Sequence, residues 1–368
     1  MATPITGAIS LLNVRSELGA SGAISFNDTL FRQLTNQLSG TANLGNARAC
    51  ASVNSSVNNL NVLTGLFGSS GTVANFKVLI RSGVNVDATA GNTALVLGQF
   101  GSGSTIVVNN YGSVRAFGGA GGSGGVGSAG GDAIFANYSN QTVTINNQSG
   151  AFIYGGGGGG GRGGNGGTGG TGGGGQFSTT NFRSYDSQNF WVSDGISTTG
   201  VWNNAIVFQV GGAPTVVGQW VRGDFAVYSS KQNANYYGIG QTTTTNTNGG
   251  AGGGGGNGGA GGRGLGADGA AAGGSNGAGG SAGSGGGTNA GTGGTGGAGG
   301  SGSTWGTAGN NGNTGATGNT GASGNRTGGS AGSAGAGGSS GGAAGRYLVR
   351  GGAAVTINNS GTVAGGLA

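Results

Sequence analysis

The chain contains no histidine. That removes the Ser-His-acid triad, the commonest general base and the commonest zinc ligand together. A single cysteine, Cys50, can form neither a thiolate metal site nor an internal disulfide; within Ala49 to Val53 it reads as a small apolar strand residue. Lys77 follows Phe76 and Lys231 follows Ser230, so neither closes a GxxxxGK[ST] phosphate loop. GxGxxG matches are frequent, but 101 glycines produce them by chance. In the aromatic-rich stretch 176–248 the only carboxylates are Asp186, Asp194 and Asp224, with no Glu beside them. That is a poor basis for a two-carboxylate glycosidase. The expectation is a protein without catalysis, cofactor or metal.

What remains is the chemistry of recognition. Residues 176–248 carry Trp191, Trp202 and Trp220, three of the four tryptophans, with Arg183, Arg222 and Lys231 among them. Aromatics and Arg are the types enriched where binding energy concentrates. Three runs, AIVFQV, PTVVGQWV and DFAVYSS, read as strands, which places Trp202, Phe208, Trp220 and Phe225 in the core of a small β-module. Phe190, Trp191, Tyr236 and Tyr237 lie in polar, irregular sequence, and Trp305 stands alone between glycine tracts. With Arg222 these are the candidate binding residues, because loop tips on a rigid scaffold are where binding resides.

Those tips need a scaffold. Residues 1–48 hold a degenerate repeat, Gly7-Ala-Ile-Ser-Leu and Gly22-Ala-Ile-Ser-Phe, each followed by a short helical stretch. Asn13 is placed to cap the first and Ser25 with Asp28 the second; Phe26, Leu30, Phe31, Leu34 and Leu38 fall near helical spacing. Strands are expected at Val73 to Ile80, Val84 to Val86 and Ala94 to Leu97. A second repeat reads TIVVNNYGSV at 105–114, TVTINNQSGAFI at 142–153 and VTINNSGTV at 355–363. Each copy predicts a strand with alternating apolar residues, an Asn-Asn turn tolerant of positive φ, and a second short strand.

The glycine tracts keep phase. Every third residue is Gly from Gly155 to Gly173, from Gly157 to Gly175, from Gly118 to Gly130, from Gly249 to Gly264 and from Gly306 to Gly324; after a break Gly329 to Gly341 resumes in a new frame. A period of three belongs to the extended left-handed helix with three residues per turn and about 3.1 Å rise. It lines one edge of the helix with residues that lack Cβ. Both prolines, Pro4 and Pro214, lie outside the tracts, which fits collagen poorly. A flexible linker gives glycine no reason to hold a phase. The remaining solution is a bundle in which helices of one chain hydrogen-bond sideways, the counterweight to glycine's large ordering entropy. A helix with two glycine edges, as at 155–175, belongs inside; one with a single edge, as at 306–324, belongs outside.

The formal charge is +6, from 14 Lys+Arg against 8 Asp+Glu, spread without a cluster. A nucleic-acid reader would concentrate it, so no nucleic-acid partner is expected. MATPITGAIS lacks the features of a signal peptide and no run of 18 apolar residues occurs, so neither export by that route nor membrane insertion is expected. Synthesis in a cytoplasm follows.

Asn-Asn β-repeats feeding tracts such as GGAGGSGGVGSAGG and GGGGGGGRGGNGGTGGTGG resemble the receptor-binding adhesin at the long tail fibre tip of T-even-type phages, over about residues 105–368. The Gly-Ala-Ile-Ser repeats separately resemble modules of phage tail proteins. Two departures stand out: the first hundred residues differ from the family's fibre-attachment domain, and 176–248 replaces a short variable loop. The resemblance implies a virion protein at the distal tail tip. It would be held to a tail or tail-fibre protein through residues 1–104 and touch a host outer-membrane protein or surface glycan. The fold expected is mainly β and irregular: an N-terminal α+β docking region (1–48), a β-strand region (49–117) and β-coils feeding a bundle of polyglycine-II helices (118–175 and 249–346). An inserted β-module (176–248) and a C-terminal β-repeat (347–368) complete it. Two other functions remain open: a purely structural glycine-rich fibre or wall protein, and an ice-binding polyglycine-II protein.

Overall fold

A computed structural model of the chain describes residues 2–68, 73–136, 138–185, 193–194, 237–280, 289–323 and 327–368; for 175–185, 193–194 and 237–247 it describes the backbone alone. The expected strand modules at 205–230 therefore lie outside the described residues.

Strands with apolar residues at alternate positions close one face against a core and leave the other free. Here that pattern recurs five times, and each recurrence is one coil. The first coil consists of β1 (Cys50–Val53), β2 (Val57–Asn58) and β3 (Leu60–Asn61), and the second of β4 (Asn75–Ile80), β5 (Asn85–Asp87) and β6 (Leu95–Val96). The third is β7 (Thr105–Asn110), β8 (Ser113–Arg115) and β9 (Ile134–Phe135). The fourth begins with β10 (Thr142–Asn147) and β11 (Phe152–Tyr154). A long excursion follows, carrying the antiparallel strands β12 (Gly175–Tyr185), β13 (Ser193–Asp194) and β14 (Tyr237–Thr247), before β15 (Arg346–Val349) completes the coil. β16 (Ala354–Asn359), β17 (Thr362–Ala364) and β18 (Gly366–Leu367) form the fifth. Every coil gives one strand to each of three parallel five-stranded sheets, ordered β1-β4-β7-β10-β16, β2-β5-β8-β11-β17 and β3-β6-β9-β15-β18. The result is a three-sided solenoid.

Its core repeats in columns. Phe76, Ile106, Val143 and Val355 pair in register along the first sheet. Phe67, Phe76 and Phe100 pack as an aromatic cluster, with ring centroids 4.3 to 6.0 Å apart.

The Asn pairs correct the sequence reading. They are not turns; they end the strands β7, β10 and β16, outside the positive-φ positions, which fall at Asn36, Asn59 and Asn140 among the asparagines. Parallel in-register pairing puts identical side chains one above another, and the amides bond along the solenoid axis. Asn110 donates to Asn147 and Asn147 to Asn359, each at 2.8 Å. In the neighbouring column Asn358 donates to Asn146 and Asn146 to Asn109, again at 2.8 Å. Asn109, Asn110 and Asn147 are buried, and a buried amide requires such partners.

The helices α1 (Leu11–Glu17) and α2 (Thr29–Thr35) follow the two Gly-Ala-Ile-Ser repeats. The caps differ from expectation. Ser10 is the N-cap of α1 and Asn13 closes its capping box. Asp28 precedes α2 but spends its carboxylate on the Ser25 N–H, at 2.7 Å. Val14, Leu18, Phe31 and Leu34 bury against Cys50 and Leu79, on the outward face of the first sheet; Phe26 and Leu38 remain partly exposed. The free edge of β1 is also covered. The Thr3 N–H donates to the Cys50 carbonyl at 2.8 Å, and the Ser52 N–H donates to the Glu17 carboxylate at 2.6 Å. Covering an edge strand in this way blocks pairing with another chain.

Glycine tracts leave the solenoid at one corner, between its second and third sheets. The third coil sends out 118–131 and the fourth sends out 155–345. Extended threads at 118–122, 127–131, 155–174, 249–265, 272–280, 289–303, 307–323 and 327–345 lie side by side, hydrogen-bonded at every third residue. Thread 155–174 is the hub. It donates to 249–265 through Gly163 N–H to Gly259, and to 307–323 through Gly164 N–H to Asn313, both at 2.8 Å. It accepts from 289–303 and 327–345, and near the solenoid it also bonds 118–122 and 127–131. On two of its three rows the neighbours leave no room for Cβ: one on Gly163 would fall on the Gly297 carbonyl, and one on Gly164 on that of Ala336. Thread 307–323, with one glycine row, shows most of its Asn, Thr and Ala to solvent.

Candidate functional site

The thread connections sort by end. At the solenoid end the turns are 266–268 and 304–306, where the Gly306 N–H donates to the Gly155 carbonyl at 2.8 Å and Ala267 to Ala116 at 2.8 Å. Two ion pairs fix this base: Arg346 grips Asp132 through both nitrogens at 2.9 and 2.7 Å, and Arg263 pairs with Asp268. Asp268 also accepts the Gly118 N–H at 2.9 Å.

The other end gathers the remaining long connections. Gly173 N–H donates to Ala322 at 2.8 Å, Gly172 N–H to Gly250 at 2.9 Å, and Gly174 N–H to the Thr327 hydroxyl at 2.6 Å. The threads that end at 174, 280 and 323 and resume at 249, 289 and 327 therefore turn over the same end of the lattice. At about 3.1 Å per residue, that end is roughly 60 Å from the solenoid. From it β12 and β14 run as one antiparallel ribbon, in register from Gly175 with Thr247 to Tyr185 with Tyr237. Short β13 adds beside Arg183 and Ser184.

Of the candidate receptor-binding residues, Tyr237 begins β14, opposite Tyr185, at the end of the ribbon away from the lattice. Phe190, Trp191, Arg222 and Tyr236 lie outside the described residues. Trp305 is at the solenoid end, across the lattice from Tyr237. The expectation that it has no nearby core is corrected, because Trp305 is half-buried and packs on Tyr154 with ring centroids 5.3 Å apart. Burial raises the Tyr154 phenol above its ordinary value.

The ribbon itself is a feature that the sequence reading missed. Its signal is the run Thr242 to Thr245, because β-branched threonine suits an extended strand; surrounding polarity hides it from a search for apolar alternation.

Chemically the described residues offer contact and no catalytic centre. Cys50, the lone thiol, is buried, and burial pushes it up to about 12, far from a reactive thiolate. Among the described residues no cluster of His, Cys, Asp or Glu is large enough to hold a metal ion, and no helix is long and apolar enough to cross a membrane.

A repetitive solenoid thus anchors a glycine lattice whose threads break off at 174, 280 and 323 at the far end. The phage tail fibre adhesin Gp38 family matches residues 48–282, more than half of the chain, and the chain belongs to that family. It is a bacteriophage tail fibre adhesin, a protein of host attachment carried on the virion tail. The match starts just ahead of the first solenoid coil, earlier than the resemblance at 105 suggested, and stops at 282, before the last three threads. Neither the curated proteins nor the solved structures compared with the chain give a match.

Proposed function

We propose that the chain caps the distal tip of the tail as a non-enzymatic receptor-binding adhesin. In this reading residues 1–104 dock to a tail or tail-fibre protein, and the glycine threads are polyglycine-II helices serving as a rigid scaffold. The connections at the far end contact a host outer-membrane protein or surface glycan, with Phe190, Trp191, Arg222, Tyr236 and Tyr237 in the largest of them. The observation that carries the reading is the convergence of the thread ends at 174 and 249, at 280 and 289, and at 323 and 327 on the lattice end away from the solenoid. Glycine contacts made almost wholly by backbone hold that end in place without specifying it, so the connections are free to vary in sequence while the lattice is not. Membership of an adhesin family favours this reading over a purely structural fibre and over ice binding.

Deleting 176–248 tests it. The expected result is a folded protein that still joins the virion, with adsorption to host cells lost. Unchanged adsorption would overturn the assignment of recognition to that connection.

A further inference from the structure

The outward face of the second solenoid sheet carries an aromatic surface that neither packing nor the far end of the lattice explains. In β11 the buried Ile153 points inward, so Phe152 and Tyr154 share the outer face. Their ring centroids are 5.3 Å apart and tilted by 46°; Trp305 continues the row, 5.3 Å from Tyr154 at 31°. An outward sheet face that meets water is ordinarily polar. Here three rings from two distant chain segments are stacked on it, and Phe152 is 36% exposed.

The plainest role for the row is to seal the seam between solenoid and lattice. That accounts for Trp305, whose turn abuts Gly155 and the fifth coil through Gly306. It leaves Phe152 unexplained. Phe152 sits two residues away from the seam, and its register partners on either side are hydroxyl residues, Ser113 and Thr362. In the neighbouring row Tyr154 lies beside Arg115, whose guanidinium meets Asp87 through two 2.8 Å bonds and remains partly exposed.

Exposed ring faces bordered by hydroxyls and an Arg–carboxylate fork are complementary to one ligand chemistry. A hexopyranose has a face of C–H bonds, which the negative π-face attracts, and a rim of hydroxyls that both donate and accept. We infer that Phe152, Tyr154 and Trp305 form a saccharide platform on the side of the solenoid, with Ser113, Thr362 and the Arg115–Asp87 pair addressing the sugar hydroxyls. The platform lies at the opposite end of the lattice from the connections assigned to receptor contact, so it is a second, lateral site. It gives the adhesin a hold on a sugar-covered surface that does not depend on the far end.

The test is saturation-transfer NMR on the full-length protein, with methyl α-glucopyranoside, methyl β-galactopyranoside and N-acetylglucosamine as probes. At least one is expected to receive saturation at its ring protons, and Phe152→Leu is expected to weaken that transfer by at least about fivefold, the scale of one aromatic stack. Leucine keeps apolar volume and loses the ring face, so a seal would survive it and the thermal midpoint checks that the fold has. The part of the transfer that Phe152→Leu removes is expected to persist in Trp191→Ala, which separates this site from the proposed receptor contact. No transfer to any of the three sugars, or equal transfer in Phe152→Leu, would overturn the platform.

Discussion

The backbone N–H of Arg162 donates to the carbonyl of Gly125 at 2.9 Å, and at that point the hub thread changes character. Gly125 lies in the tip of the short glycine hairpin that the third coil sends out. On the solenoid side of Arg162 the same row of the thread reads Gly156 and Gly159; beyond it the row reads Asn165, Thr168 and Thr171, all exposed. Side chains return to the row as soon as the hairpin no longer covers it.

A pair of substitutions separates the two halves of that row. A Cβ on Gly159 would meet the Ala120 backbone, and backbone cannot swing aside as a side chain can. Gly159→Ala is expected to destabilise by about 1–3 kcal/mol or more, the cost of overpacking. Thr168→Ala, in the uncovered half, is expected to stay within about 0.5 kcal/mol. Chemical denaturation of the two variants beside the parent checks both. Equal losses would mean that the hairpin does not cover Gly159.

This boundary shows what the sequence makes legible. The triplet phase of the tracts, the strands of the second repeat and the interior place of 155–174 follow from local pattern, since a row without Cβ has one physical use. The closing of the strands into three sheets does not follow: β11 and β15 complete one coil across almost two hundred residues, and no local signal carries such a separation. The Asn pairs mislead for the same reason. Their turn propensity is a local property, whereas the ladder that outweighs it needs an identical pair one coil away. Trp305 looks solitary because Tyr154, which it covers, is remote in the chain. The proposed site is legible as composition, in the aromatics of 176–248, while the end of the lattice at which threads 155–174 and 249–265 break off emerges only from the thread order.

The asparagine ladder is asymmetric in what it tolerates. Asn147 is buried and bonded on both sides, to Asn110 and Asn359, whereas Asn359 is exposed. Asn147→Ala takes one bond from each of two amides; Asn110 is buried and keeps its bond to the Phe152 carbonyl, but the N–H left without an acceptor costs about 1–3 kcal/mol. Asn359→Ala is expected to cost under about 1 kcal/mol. Urea midpoints of the two variants decide the matter; a larger loss at Asn359 would contradict a ladder anchored from within.

Glu17 couples the covered edge of β1 to pH. Burial raises its pKa above the ordinary 4.5, and the Ser52 hydrogen bond opposes that rise. Because the folded value is the higher one, folding takes up a proton. The stabilisation is complete below the unfolded pKa and is lost as pH climbs through the folded value. Glu17→Gln keeps an oxygen for the Ser52 N–H and removes the charge. It is expected to raise the thermal midpoint at pH 7 and to leave it unchanged at pH 4. A variant that melts lower than the parent at neutral pH would show that the carboxylate stabilises the cap as an anion.

The lattice makes the most direct prediction, because its order rests on backbone alone. Glycine gives up more conformational freedom on ordering than any other residue, and within the lattice few side chains are buried to offset that loss. Sideways hydrogen bonds must therefore persist in concert, since a thread released from one neighbour loses support from the rest. Gly163 and Gly164 donate from the hub to two different threads, at Gly259 and Asn313, so a single fluctuation cannot open both without parting three threads. Their amides are expected to exchange at least about a thousandfold more slowly than those of an unstructured chain, the behaviour of a cooperative unit. Hydrogen exchange followed by NMR reads this residue by residue. Exchange at unstructured rates would mean that the tracts are tethers, and the far connections would then have no fixed platform from which to meet a receptor.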